Sequence, residues 1–120
     1  MMLISHRGYE DGENSLFENN PSQIRRLLKM GVGVEIDVWY IDGEYLLGHD
    51  NPKYRVEEAF LRQRGLWCHA KNIEALTEMK KLNCHFFWHE NDSYTITSKG
   101  YIWTYPGKKL SEKSICVLPE

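Results

Sequence analysis

The stretch VEIDVWYIDGEYLLGHD, residues 34–50, decides how this chain folds. Branched apolar residues at positions 34, 36 and 38 alternate with Glu35 and Asp37, which is the period of a β-strand with two different faces. An Asp-Gly pair at positions 42–43 then predicts a two-residue hairpin, from which the chain returns as a strand ending near His49. The two carboxylates therefore point the same way, close to the end of the returning strand.

Strands and helices alternate along most of the 120 residues. We expect strands at Met2–His6, Val32–Ile41, Tyr45–Gly48, Leu66–Ala70 and Cys84–His89, and a last strand at Ile115–Leu118. We expect helices from Pro21 and over Ile73–Leu82, and a short helix with Val56, Ala59 and Phe60. A C-terminal hairpin should consist of Tyr94–Thr97 and Tyr101–Tyr105. The helix over Ile73–Leu82 should bury Ile73, Leu76 and Met79. Such alternation is typical of βα units with a largely parallel sheet, here within one domain spanning 1–120.

Composition excludes several classes of protein. The chain is 42% hydrophobic with a net charge of −2 and has no run of Lys and Arg, so nucleic acid is not an expected partner. No apolar stretch is long enough to span a membrane. Cys68, Cys84 and Cys116 show no metal-ligand spacing, which predicts reduced thiols in a soluble, cytoplasmic protein.

Ionisable side chains lie at the ends of three predicted strands and on one face of a fourth, and functional groups of βα folds collect at the carboxyl ends of strands and in the loops that follow them. They are His6 and Arg7, Glu35 and Asp37, His49 and Asp50, and His69 and Lys71. Paired acids on a strand usually form a solvated face. Here the opposite, apolar face should pack under the helices, which turns the acids inward, where they need a partner or a divalent cation.

The motifs HRG at 6–8, EN at 13–14, EIDV at 35–38, DG at 42–43 and HD at 49–50 stand in a characteristic order. Over these motifs the sequence resembles the glycerophosphodiester phosphodiesterase family. The resemblance implies a TIM-barrel-like phosphodiesterase that uses a divalent cation. It also implies a small phosphodiester as substrate, attacked by the neighbouring glycerol hydroxyl to give a cyclic phosphate that water then opens.

The resemblance assigns roles by position. It implies His6 and His49 as the acid/base pair, Arg7 and Lys71 as phosphate contacts, and Glu35, Asp37 and the loop acid Glu13 as ligands of Mg²⁺ or Ca²⁺. The family has an ExK motif on its third strand, whereas this chain has HAK at 69–71. His69 would therefore replace a carboxylate among the metal ligands, a change that also suits Mn²⁺ or Zn²⁺.

Chain length limits the fold that the resemblance implies. A complete eight-unit barrel takes about 250 residues. We therefore predict an α/β protein with a reduced or incomplete TIM-barrel-like βα fold and a C-terminal β-hairpin, or else two copies that combine as a homo-oligomer.

Three functions are consistent with these features. The first is a metal-dependent phosphodiesterase. The second is a degenerate relative that binds a phosphorylated sugar or polyol without turnover, which the HAK motif favours. The third is an interaction module whose aromatic C-terminal hairpin pairs with another chain.

Overall fold

The computed structural model describes residues 4–6, 18–88, 94–104 and 114–116, which form two sheets and three helices. Strands β1 to β9 are Ile4–His6, Gly33–Ile41, Glu44–Leu47, Tyr54–Val56, Leu66–Ala70, Phe86–Phe87, Tyr94–Ile96, Ile102–Thr104 and Ser114–Cys116. Helices α1 to α3 are Pro21–Lys29, Glu58–Leu61 and Ile73–Met79.

The main sheet has the strand order β4-β3-β2-β5-β6, and β1 also pairs with β2. Strands β1, β2, β5 and β6 pair in parallel, whereas β3 and β4 are antiparallel additions. The predicted α/β class and largely parallel sheet are confirmed. The described strands form an open sheet, with β4 and β6 at its two ends, so the reduced barrel is not confirmed.

Strand β2 is the centre of the sheet and is buried on both faces. Val34, Ile36 and Val38 are fully buried in the same core cluster as Ile24 and Leu27 of α1. This apolar face packs under the helices as predicted, which leaves the acidic positions on the other face.

Helix α1 begins at Pro21, as predicted, and ends at Lys29. The Asn20 side chain accepts hydrogen bonds from the backbone N–H groups of Ser22 and Gln23, and Pro21 occupies the first helical position. Gly31 follows the helix with a φ of +82°, a conformation that glycine adopts without strain.

The hairpin between β2 and β3 is also confirmed. Asp42 and Gly43 both have positive φ, at 51° and 79°, which is the type I′ turn that matches the twist of two antiparallel strands. The register pairs Ile41 with Glu44 and Val38 with Leu47.

Two predictions of local structure are wrong. Val56 lies on strand β4, opposite Tyr45 of β3, because its branched side chain fits the pleated ladder; the short helix starts only at Glu58. In α3, Met79 is buried and Leu76 packs against the core as predicted, but Ile73 is 57% exposed and Ala75 is buried instead, so the buried face is rotated.

The N-terminal cap of α3 explains this rotation. The Asn72 side-chain oxygen accepts from the N–H groups of both Ala75 and Tyr40, and its amide donates to the Tyr40 carbonyl. These bonds fix the helix against β2, so the small Ala75 faces the sheet.

The second sheet has the order β7-β8-β9. The C-terminal hairpin of β7 and β8 is confirmed, and β9 adds to β8 in parallel. Cys68 and Cys84 are buried free thiols, as expected. None of the helices in the described part of the chain combines the length and apolar character needed to cross a membrane.

Candidate metal centre

Glu35 and Asp37 lie side by side on the face of β2 that points away from the helices. They are only 2% and 1% exposed, so neither belongs to a solvated surface. Two buried carboxylates need hydrogen bonds or a cation, because removing an ionised group from water is costly. The inward orientation predicted for these acids is confirmed.

His69 reaches the two acids from the neighbouring strand. Parallel pairing places it opposite Asp37, and residues paired in this way point to the same face. Its Nδ1 lies 3.3 Å from Asp37 Oδ1 and 3.7 Å from Glu35 Oε2. The ring stacks on Phe87 at 5.1 Å with the planes 4° apart, which holds Nδ1 toward the acids.

Asn19 holds Asp37 from the loop before α1. Its side-chain amide donates to Asp37 Oδ2 at 3.0 Å, while its side-chain oxygen accepts from the Asp37 backbone N–H at 2.9 Å. Asn19 is fully buried and has a φ of 56°, a left-handed conformation that asparagine tolerates better than most residues. It acts as a positioning residue that fixes both the backbone and the carboxylate of Asp37.

His49 arrives beside the acids through the hairpin. Its Nδ1 is buried 3.4 Å from Asp37 Oδ2 but makes no hydrogen bond with a described atom, while the side chain as a whole is 28% exposed. The Trp39 indole N–H donates to the Gly48 carbonyl at 2.6 Å, which ties the segment before His49 to β2. A Cβ at Gly48 would lie 1.8 Å from the Asn51 carbonyl oxygen, so only glycine fits here.

The charge state of Asp37 reflects these contacts. Burial alone would raise the pKa of the carboxyl, yet the His49 and His69 rings and the Asn19 amide hold that pKa well below its usual range. This lowered pKa favours the ionised form of Asp37 near neutral pH. An ionised carboxylate is the form that binds a cation.

The three central side chains fit a metal ion. One ligand atom from each of Glu35, Asp37 and His69 can be chosen so that all lie within 4.8 Å of one another, and all three residues are buried. Ligands about 2.1 Å from one ion lie roughly 3 to 3.5 Å apart, close to the measured separations of the His69 nitrogen from the acids. This group could hold a metal ion through two carboxylates and one imidazole.

A cavity opens beside His49. It has a volume of about 300 Å³. The residues that line it are Glu18, Gly48, His49, Asp50, Asn51, Pro52 and Lys53. The exposed part of the His49 ring is thus reached from solvent through a space large enough for a small molecule.

The other predicted site residues are described in part. His6 ends β1, where its backbone pairs in parallel with Glu35, so its position at the same edge of the sheet is as predicted. Lys71 follows β5 at this edge, with its N–H bonded to the Val38 carbonyl. Arg7 and Glu13 lie outside the described residues, so their predicted roles stay predictions.

Sequence reasoning missed Asn19. Its partner is 18 residues away, so no local pattern connects the two positions. The available signal was that Asn19 follows a polar loop directly before a capped helix, where a left-handed asparagine is common.

Comparisons with models of protein families, with curated proteins and with solved structures give no match to this chain.

Proposed function

We propose that this protein is a metal-dependent phosphodiesterase that acts on a glycerophosphodiester or a similar small alcohol phosphodiester. The observation that carries the proposal is the convergence of buried Glu35, Asp37 and His69 into one metal-sized group, with His49 in contact with Asp37. The resemblance of the ordered motifs to the glycerophosphodiester phosphodiesterase family suggests the substrate class. Arg7, Lys71, His6 and Glu13 keep the roles that this resemblance implies.

The donor set bears on which cation would bind. Mg²⁺ and Ca²⁺ prefer oxygen ligands alone, whereas Mn²⁺ and Zn²⁺ accept imidazole together with carboxylate. With His69 in the group, we expect Mn²⁺ or Zn²⁺ to bind more tightly than Mg²⁺ or Ca²⁺. A divalent cation held there would polarise the phosphate and offset the negative charge that develops on it.

His49 would move a proton in this reaction. Its Nδ1 faces the ionised Asp37, which favours a proton on Nδ1 and orients the ring. Nε2, 3.8 Å from the exposed Asp50, is then the nitrogen available to accept a proton from an attacking hydroxyl or to donate one to a leaving alcohol. His6 would perform the complementary transfer, and Arg7 and Lys71 would bind the phosphate oxygens.

A second candidate is a binding protein for a phosphorylated sugar or polyol without turnover. The observation that favours it is His69 itself, because a histidine in place of glutamate removes one hard oxygen ligand from the group. Such a protein would bind the cation and the phosphate but would leave the ester intact.

The test is hydrolysis of bis(4-nitrophenyl) phosphate and of glycerophosphocholine after chelation and addition of Mn²⁺, Zn²⁺, Mg²⁺ or Ca²⁺ in turn. We expect metal-dependent turnover that falls about a hundredfold or more in His49→Ala and Glu35→Gln. Glu74→Gln is the matched control, because it makes the same chemical change on an exposed residue of α3. Equal turnover in the wild type and both site variants contradicts the proposal, and metal binding without turnover in the wild type supports the second candidate.

A further inference from the structure

A second cavity lies at the opposite end of the main sheet, where β2 and β5 begin. Its volume is about 510 Å³, within the range of sites for small ligands. We call it the basal groove, and its lining residues are Leu28, Gly31, Val32, Gly33, Arg64, Gly65, Trp67, His85, Lys99 and Tyr101. Of the residues used in the proposed phosphodiesterase site, none of Glu35, Asp37, His49, His69 and Lys71 lines it.

The wall of the basal groove is aromatic. The ring of Trp67, only 2% exposed, lies 4.3 Å from that of His85 and 5.3 Å from that of Tyr101. Thr97 fixes this cluster, since its hydroxyl is 2.6 Å from His85 Nε2 and accepts from the Tyr101 N–H. Gly33 keeps the space open, because a Cβ there would stand 3.3 Å from the Trp67 indole nitrogen.

The charges around the groove have one sign. Arg64 and Lys99 line it, and an adjoining depression that shares Leu28 and Arg64 adds Arg25 and Lys29. Among the described residues, no carboxylate lines either space and none of these four cations forms an ion pair with a carboxylate. Four exposed cations that no described carboxylate neutralises attract an anion.

His85 contributes a neutral ring to this wall. Burial and the nearby Lys99 lower the pKa of His85 to about 4, so the ring is uncharged near neutral pH. The positive charge of the groove therefore comes from Arg64 and Lys99 at its rim, beside an apolar aromatic surface.

We propose that the basal groove binds a small organic phosphate with a flat, apolar body, of the size of a mononucleotide. The phosphate would bind Arg64 in a bidentate manner, with Lys99 as a second charge. The flat body would pack against Tyr101 and His85, since aromatic rings are favourable surfaces for planar groups. Inorganic phosphate alone would leave this wall uncovered, and a neutral aromatic molecule would leave the cations without a partner.

The experiment is calorimetric titration of the full chain, without added metal, with AMP, adenosine and inorganic phosphate. We expect saturable binding of AMP, with adenosine and phosphate each weaker by about tenfold or more. Arg64→Gln should weaken AMP binding about tenfold. Arg62→Gln is the matched control, because Arg62 is exposed two residues away, pairs with Glu58 and does not line the groove. The affinity of this variant for AMP should stay within about twofold of the wild type.

His49→Ala separates this proposal from the proposed phosphodiesterase site at the other end of the sheet. AMP binding that is lost in His49→Ala and kept in Arg64→Gln places the ligand at the acidic end and overturns the proposal. No saturable AMP binding, or equal weakening in Arg62→Gln and Arg64→Gln, also overturns it. AMP binding lost in Arg64→Gln supports the proposal whether or not phosphodiester hydrolysis is found.

Discussion

Two regions of opposite charge lie close together along β2 and β5: the acidic group of Glu35 and Asp37, and the basal groove with Arg64 and Lys99. Glu35 and Asp37 on β2 are buried and paired with His69, whereas Arg64 and Lys99 beside the amino ends of the strands are exposed and form no ion pair with a carboxylate of the described residues. On β5 the two regions are only two residues apart, between Trp67 and His69, which is about 7 Å along a strand.

The difference shows how burial decides the role of a charge. A buried carboxylate is retained only with its hydrogen bonds and ion pairs, so the acidic end contributes to stability as well as to any chemistry. An exposed cation costs almost nothing to keep and is free to meet a ligand. Removing a charge should therefore have a large effect on unfolding at one end and a small effect at the other.

Asp37→Ala should give the largest loss. It leaves His69, His49 and Asn19 without the carboxylate that they surround, and breaking such a buried cluster costs about 3 to 5 kcal/mol of unfolding free energy. Urea denaturation followed by fluorescence measures this loss. Asp50→Ala is the control, because Asp50 lies at the same end but is 86% exposed, and its removal should cost less than about 0.5 kcal/mol. Equal losses in the two variants would remove the distinction between buried and exposed acids.

Substitution of Asn19 should cause the next largest loss of unfolding free energy. Asn19→Gly keeps the left-handed backbone but deletes both hydrogen bonds to Asp37, with an expected loss of about 2 kcal/mol. Asn19→Ala should lose about 1 kcal/mol more, because alanine resists a φ of 56°. Denaturation of the two variants side by side separates the loss of the hydrogen bonds from the cost of the left-handed backbone. A glycine variant as stable as the wild type would mean that Asn19 does not hold Asp37.

The sequence predicts those parts of the acidic end that depend on local patterns. Alternation places Glu35 and Asp37 on one face, the Asp-Gly turn returns the chain at His49, and Pro21 begins α1. Each of these signals is contained within a few residues, so no knowledge of distant partners is needed.

What the sequence does not predict depends on pairing between distant segments. Asn19 finds Asp37 across the fold, and the rotation of α3 follows from the bonds between Asn72 and Tyr40, 32 residues apart. The basal groove is of the same kind, because Arg64 and Lys99 meet only after β5 and the C-terminal hairpin have packed. Spacing along the chain contains no information about such contacts until the strand order is known.

As the pH is lowered, the basal groove should lose its contribution to the free energy of unfolding before the acidic group of Glu35 and Asp37 does. His85 has a pKa of about 4 when folded against an ordinary 6.5, so the unfolded chain binds the proton more readily between these values. The contribution of neutral His85 to the free energy of unfolding is therefore fully present above pH 6.5. It falls by about 2 kcal/mol as the pH drops toward 4, a value reduced for the partial exposure of the ring. The contribution of Asp37, whose pKa is lowered, is lost only below about pH 4.

Unfolding by urea at a series of pH values, in the wild type and in His85→Gln, checks the response of the amino end. Glutamine keeps a polar group near Thr97 but does not titrate, so the slope between pH 6.5 and 4 should be smaller in the variant. An unchanged slope would assign the acid sensitivity to other groups.

The double substitution of Arg64 and Lys99 by glutamine should have the smallest effect on unfolding. Both side chains are exposed and neither pairs with a described carboxylate, so the expected change is less than about 0.5 kcal/mol. The same variant should raise the pKa of His85 above about 4, because Lys99 is one cause of its low value. Titration of the His85 ring by NMR, with urea denaturation of the same sample, measures both quantities. A loss above about 1 kcal/mol would mean that these cations support the fold, so that the two ends of the sheet do not differ in the way that burial predicts.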